Sequence, residues 1–527
     1  MRTKYATINA IFGIAFQVTN ALINFVIRRV LVSSVGLDYL GVNGLFSNIL
    51  QLLSLVESGF GVAIIYLLYK PIASNDEMQI AKYMNYYRKI YHIVAVVIFI
   101  LGIAMIPFLK VIVKDNPFGD RDIIVFYLLF LANTVSSYFL AYKASFLNAC
   151  QRQYYVSVIS IIANVIFAGL KIFSLIVLKN YILYLAIIII NTVAINLIVS
   201  EVVNHKFAYL RKYKKLELDK DIQNKIKNDV KAVMYHKVGG YVLNGTDNIV
   251  ITYFVGLASV GLYSNYYLIM STVGLFLSQV FTAIVPGFGE IIAEDSVRKT
   301  NHIYDVFKTV YFLDFLLYGL CSCIMVGLMQ PFMVLWLGNT EYKLDDLIMF
   351  LVVFNFYLGG MRQAPVSVKS AAGIFKQDRF SPVLEAIINI IVSVVLASKI
   401  GIAGVIIGTI TSCICMPFWT GPYFVYRDLF HRNFGKYLLV SLQYMGVTAV
   451  GCFLCYKISG LFNYSGGVVR FILLSVTCVI VAIIYFLVVF LCSRERNKLM
   501  EHVRPILKKT KKYQKLKNYF YKRRGRL

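Results

Sequence analysis

VGLDYLGVNGLFSNILQLLSLVESGFGVAIIYLLYKP, residues 35–71, and VGLASVGLYSNYYLIMSTVGLFLSQVFTAIVPGFGE, residues 255–290, together decide how the chain is read. Val35-Gly36-Leu37 and Leu40-Gly41 align without a gap with Val255-Gly256-Leu257 and Val260-Gly261, at an offset of 220 residues. The segment Asn148–Tyr155 resembles Gly373–Phe380, and Ile162–Ile166 meets Ile387–Ile391, at an offset of 225. Similar offsets at two separated places indicate an internal repeat. The first copy opens with a short turn and continues as a long apolar helix to a Lys70-Pro71 stop. It carries one acid, Glu57, whose counterpart in the second copy is Leu277.

Outward from these copies the chain is apolar. Hydrophobic residues make up 59% of it, against roughly 45–50% in soluble domains, and the mean hydropathy is +0.70. Fourteen apolar segments can be drawn: 8–30, 39–69, 89–113, 122–147, 155–178, 181–204, 234–255, 260–289, 303–330, 344–368, 380–398, 402–426, 436–457 and 467–492. Runs of this length read as membrane-spanning helices. The N-terminal run has no small-residue cleavage site and reads as a first span, not a removed signal peptide. The expected fold is an all-α polytopic membrane protein of about 14 transmembrane helices. Two parallel six-helix repeats, 1–204 and 234–430, flank a basic linker, 205–233. Two further helices, 431–492, and a basic tail, 493–527, complete it. An even number of spans per repeat makes both halves enter the membrane in the same direction.

The formal net charge is +27. Such a charge suits nucleic acid, but its distribution favours a membrane. Residues 205–237 hold ten Lys/Arg against four acids, and the tail after Cys492 holds fourteen against two. The odd-numbered connections are short and poorer in base. Bases concentrate in cytoplasmic loops, so both termini are expected in the cytoplasm. The tail then meets anionic headgroups, with no nucleic acid as partner. Nine cysteines show no zinc spacing and read as packing residues.

Two local motifs carry a family resemblance. Glu57-Ser58-Gly59-Phe60-Gly61 followed by Tyr69-Lys70-Pro71-Ile72-Ala73 resembles a signature of bacterial polysaccharide flippases of the Wzx or PST type. Gly36-Leu37-Asp38-Tyr39-Leu40-Gly41 fits the turn before it. The 6+6 repeat with two extra helices is similar to the wider MOP superfamily, which also holds the MATE exporters. The resemblance covers about the first 430 residues. It implies translocation of an undecaprenyl-pyrophosphate-linked oligosaccharide from the cytoplasmic to the outer leaflet of a bacterial cell membrane, by alternating access. The product would serve capsule, exopolysaccharide or another cell-surface polysaccharide. It implies membrane lipids and other polysaccharide assembly proteins as partners. No enzymatic activity and no cofactor are expected beyond a coupling Na⁺ or H⁺. The alternative is a MATE-like, cation-coupled exporter of small organic molecules. A polymerase or ligase would carry a large external loop, and no nucleophile–base constellation is found.

Ionisable groups inside spans are costly and therefore candidates for function. Arg28 and Arg29 end the first span near its outer end, where they can capture a pyrophosphate or snorkel to headgroups. Arg362 and Lys143, toward the inner ends of spans 10 and 4, are further candidates for the pyrophosphate. Glu57 either gates and couples ions or pairs with a base such as Lys143. Asp247, Glu385, Asn389 and Thr409, from spans 7, 11 and 12, offer oxygens for Na⁺ or a proton. Glu385 and Asn389 share one helix face at i,i+4. The alternative is that Asp247 pairs with a base or faces an aqueous cavity. No metal site is otherwise expected. Asp314 lies near the middle of span 9.

Overall fold

The computed structural model describes residues 2–57, 60–114, 116–293, 299–374, 377–462, 467–493 and 496. The expected tail, 493–527, apart from Ser493 and Arg496, and Ser58 and Gly59 of the motif lie outside the described residues. Among those described, the chain forms helices and turns and no strand, the architecture in which a helix satisfies its own backbone groups within lipid.

The first half runs α1 (Arg2–Val35), α2 (Leu37–Leu53), α3 (Phe60–Ala73), α4 (Glu77–Ile112), α5 (Asp120–Ala149), α6 (Tyr154–Ile176) and α7 (Tyr181–Lys206). A short α8 (Tyr209–Lys212) leads to α9 (Lys220–Phe254), α10 (Leu257–Ala293) and α11 (Lys299–Leu337). Then follow α12 (Asp346–Gly360), α13 (Gln363–Ala371), α14 (Ser381–Ile400), α15 (Ile402–Cys415), α16 (Pro417–Phe424), α17 (Gly435–Gly460) and α18 (Gly467–Cys492). Each of the fourteen expected segments falls on helix. Among the described residues twelve helical stretches are long and apolar enough to cross a membrane. The other two segments are the α2–α3 pair and the end of α9.

The opening stretch departs from its expected form twice. Its helix stops at Leu53 and passes through a 3₁₀ turn, Ser54–Glu57. There the Ser54 hydroxyl donates back to the Leu50 carbonyl at 2.8 Å, a bond that bends helices. The helix resumes at Phe60 and runs through Pro71 to Ala73, so Lys70-Pro71 is not the stop. Pro71 has no N–H to give the Leu67 carbonyl, and the helix ends two residues later.

The repeat is visible in the backbone. Gly36 and Gly256 both carry strongly positive φ, 105° and 108°, and their amides donate to Leu31 and Ile251, again 220 residues apart. At ψ 174°, Gly36 occupies a region reached almost solely by glycine. The helices that follow, α2 and α10, touch through backbone. A Cβ on Gly41 would stand 2.0 Å from the Leu257 carbonyl oxygen, and one on Gly261 2.5 Å from that of Leu37. This reciprocity, with each glycine facing the other copy's leucine, is what a two-fold relation requires.

Two compact units form. The first comprises Met1–Ile269, Trp336–Ile348 and Arg379–Met416, and the second Met270–Leu335, Met349–Asp378 and Pro417–Leu527. Helices from both sequence halves thus build the first unit, with α9, α14 and α15 joining α1–α7. In it α15 lies against α14 through Gly408, where a Cβ would meet Ser393 Oγ at 2.1 Å. Small residues permit such approaches in lipid, where little hydrophobic force holds helices together. In the second unit, Phe315 of α11 stacks on Tyr444 of α17 at 4.2 Å and meets Phe486 of α18 at 5.6 Å. The outer stripe of α18 stays exposed and apolar at Val469, Leu473, Val476, Ile480 and Ile484.

Candidate functional site

The first unit holds a cavity of about 580 Å³ among α1, α2, α5 and α7. Each of the four helices contributes polar groups to a lining that also holds Ile27, Leu31, Leu50, Phe130 and Ile188. On α2 and the 3₁₀ turn after it the polar residues are Asn43, Ser47, Gln51 and Ser54, and α1 contributes Asn24 and Arg28. Asn133, Thr134 and Tyr138 of α5 and Tyr184 of α7 line it as well. Steps of three and four residues repeat one helix face, so these polar groups converge while the opposite faces meet apolar surroundings.

Arg28 is anchored from one nitrogen. Its Nη1 donates to the Ser264 carbonyl at 2.7 Å and reaches Ser264 Oγ and Asn265 Oδ1 at 3.4 Å each. Among the described residues no carboxylate pairs with it. A guanidinium has five N–H donors, so the rest of this fork is available to a ligand. Arg29 does not join it. It is exposed and continues the stripe of Leu22 and Val26, both exposed.

Glu57 reaches the same cavity from the 3₁₀ turn. The sequence offered Lys143 as its partner, but the structure supplies a different one. Tyr91 Oη of α4 donates to Glu57 Oε1, and Tyr87 Oη lies 3.2 Å from Tyr91 Oη. Gly61 makes room for this group, since a Cβ there would stand 3.3 Å from Tyr91 Oη. That is a steric reason for the Glu57…Gly61 motif. Lys143 points elsewhere and donates to Ser200 Oγ at 2.6 Å and Asn204 Oδ1 at 2.8 Å. The candidates Arg28 and Lys143 therefore line separate cavities. Arg362 belongs to the second unit, at the start of α13.

The oxygen cluster does assemble. Thr409 Oγ1 of α15 reaches Asp247 Oδ2 of α9 at 3.4 Å, and Asn389 Nδ2 of α14 donates to Thr409 Oγ1 at 3.1 Å. Glu385, buried, lies one turn before Asn389. Asp247 Oδ1 is sealed from solvent and has no protein partner. An orphaned buried oxygen costs about 1–3 kcal/mol, and a small cation or a proton would relieve it. The residues present fit such a group. Among those described no three His, Cys, Asp or Glu come together as a metal site, and one acid with neutral oxygens suits a hard, singly charged ion better than a transition metal.

The first half builds the matching junction from amides. Asn164 of α6 donates to Asn20 of α1 at 2.8 Å and accepts from Asn191 of α7 at 3.0 Å. Asn164 is the repeat counterpart of Asn389. One copy of the three-helix junction is neutral and the other carries an acid.

In the second unit, Asp314 is buried and accepts the Ala364 amide at 3.0 Å. It thereby caps the start of α13 from a neighbouring helix. An apolar cavity of about 380 Å³ lies among α11, α12 and α17, with Val326, Phe350, Val353 and Phe453 in its wall. The two helices outside the repeat present different surfaces. Here α17 lines a groove and α18 exposes its apolar stripe.

A family model described as polysaccharide biosynthesis protein matches residues 7–292. Among solved structures, the chain is similar to the lipid II flippase MurJ in an inward closed conformation, with TM-score 0.64 and 14% identity, covering 91% of this chain and 98% of that one. It is similar to an inward-facing multidrug resistance MATE family transporter of the MOP superfamily, with TM-score 0.59 and 13% identity over 79% and 98%. A Vibrio cholerae MATE transporter, a VcmN mutant, aligns with TM-score 0.55 and 15% identity over 82% and 99%. At such identities these likenesses show the fold. No curated protein matches the sequence.

Proposed function

Because the chain belongs to the polysaccharide biosynthesis protein family, we propose that it translocates undecaprenyl-pyrophosphate-linked oligosaccharide units across a bacterial cytoplasmic membrane by alternating access. Arg28 carries this reading. It presents a guanidinium without a carboxylate partner to a cavity whose other polar groups are amides, hydroxyls and the Glu57 carboxylate, with Ile27, Leu31, Leu50 and Phe130 between them. A diphosphate needs the charge and the fork of donors, and a glycan needs the neutral hydrogen-bonding wall. The polyprenyl chain stays in lipid or along the apolar α17 groove. Both termini lie on the cytoplasmic side. Asp247, with Asn389 and Thr409, binds the Na⁺ or H⁺ that resets the cycle.

The test is translocation of a fluorescent polyprenyl-diphosphate sugar in proteoliposomes. Arg28→Gln removes a charge-assisted contact of about 1.5–3 kcal/mol, so transport is expected to fall roughly 10- to 100-fold. Arg29→Gln should leave it unchanged. Full transport by Arg28→Gln would overturn the reading. The second reading, a MATE-like exporter of organic cations, draws on the Glu57 carboxylate in the same cavity. It predicts ethidium export lost in Glu57→Gln and kept in Arg28→Gln.

A further inference from the structure

A second, smaller cavity of about 200 Å³ lies in the first unit among α4, α5, α7 and the strap that joins α7 to α9. Four bases line it: Arg88 from α4, Lys143 from α5, and Arg211 and Lys214 from the strap. One acid answers them. Glu201 accepts from Arg211 Nη2 at 3.2 Å, while among the described residues Arg88 and Lys214 form no ion pair. Two amides, Asn85 and Asn204, complete the polar wall.

The strap is built to hold this shape. Asn85 Nδ2 donates to the carbonyls of Tyr213 and Leu216, both at 2.9 Å. Lys89 bonds Glu217 at 2.6 Å and keeps that carboxyl below its usual range. Lys82 reaches Asp219 at 3.8 Å. Glu217 and Asp219 of the strap are thus taken up by Lys89 and Lys82, while its bases Arg211 and Lys214 line the cavity. Like charges gathered around one cavity repel, so four bases answered by a single acid favour an anion. Lys143, pinned by Ser200 and Asn204, cannot swing away without losing both bonds.

The size and place narrow the anion. The cavity has room for a phosphate or diphosphate and not for an oligosaccharide. It sits where α5 and α7 end, at the face that bears the basic connections and therefore at headgroup level. We propose that this cavity binds a phosphate-bearing group, separately from the Arg28 cavity. The site does not depend on the transported substrate, so its test does not need transport.

Full-length protein in detergent is titrated calorimetrically with inorganic pyrophosphate, and retention of phosphatidylglycerol against phosphatidylcholine is read by native mass spectrometry. Arg88→Gln with Lys214→Gln should weaken the wild-type response at least roughly tenfold, the scale of losing charge-assisted bonds. Lys214→Gln alone, at an exposed position, should weaken it in the same direction and guards against misfolding of the double variant. Arg88→Lys should retain most of it, and Lys179→Gln, at the turn between α6 and α7, should retain all. Pyrophosphate binding that the double variant loses assigns a soluble phosphate. Selective phosphatidylglycerol retention that it loses assigns a lipid headgroup. No binding by the wild type, or equal binding by the folded double variant, overturns the proposal.

Discussion

The division of labour between Arg28 and Arg29 turns on a single helical step. Gln17, Asn20, Asn24 and Arg28 form a stripe at three- and four-residue spacing, and that stripe was legible in the sequence as the inward face of α1. Leu22, Val26 and Arg29 form another. Reading the two arginines as a pair overlooked that adjacent residues on a helix point about 100° apart. The partner of Glu57 was not legible. Tyr91 lies 34 residues away on another helix, and only tertiary packing brings it near. Two substitutions separate its roles. Glu57→Leu removes the carboxylate acceptor of Tyr91 Oη and leaves it the Tyr87 hydroxyl, which should lower stability by about 1–3 kcal/mol. Glu57→Gln keeps an acceptor and should cost under about 1 kcal/mol by thermal unfolding in detergent. Loss of transport in Glu57→Gln at unchanged stability would give the carboxylate a coupling role. For Asp247→Asn the expectation is transport that no longer responds to Na⁺ or pH, with no fall in melting temperature. A retained cation dependence would count against the α9–α14–α15 site.

Elements were the most legible level. All fourteen expected segments fall on helix, because apolar runs and polar interruptions record the bilayer directly. The repeat was legible too, down to Gly36 and Gly256. What escaped was the break after Leu53, where the Ser54 hydroxyl bonds back to the Leu50 carbonyl, a bond open to any serine in a helix and so no signal by itself. The backbone crossing of α2 and α10 gives a prediction at this scale. Gly41→Ala places a Cβ within 2.0 Å of the Leu257 oxygen, and overpacking of this kind costs about 1–3 kcal/mol. Gly261→Ala should cost a similar amount, as the reciprocal contact requires. Gly13→Ala, with open space around its Cβ, should not lower the melting temperature.

For the molecule as a whole, the arrangement of bases predicts an orientation. In a background lacking other cysteines, Cys492, exposed at the end of α18, should react with an impermeant maleimide only after the cell is permeabilised. A cysteine introduced by Lys179→Cys should react from outside. The opposite pattern would invert the topology and place the Arg88 cavity at the external face. The crossing of Gly41 and Gly261 carries one more consequence. Side chains that interlock resist rotation, because turning one helix on another must pull knobs out of holes. At Gly41 and Gly261 carbonyl meets α-carbon instead, so backbone and not side-chain rotamers sets the separation of α2 and α10. One turn on, the Val260 side chain lies over Gly44 and keys the two helices together.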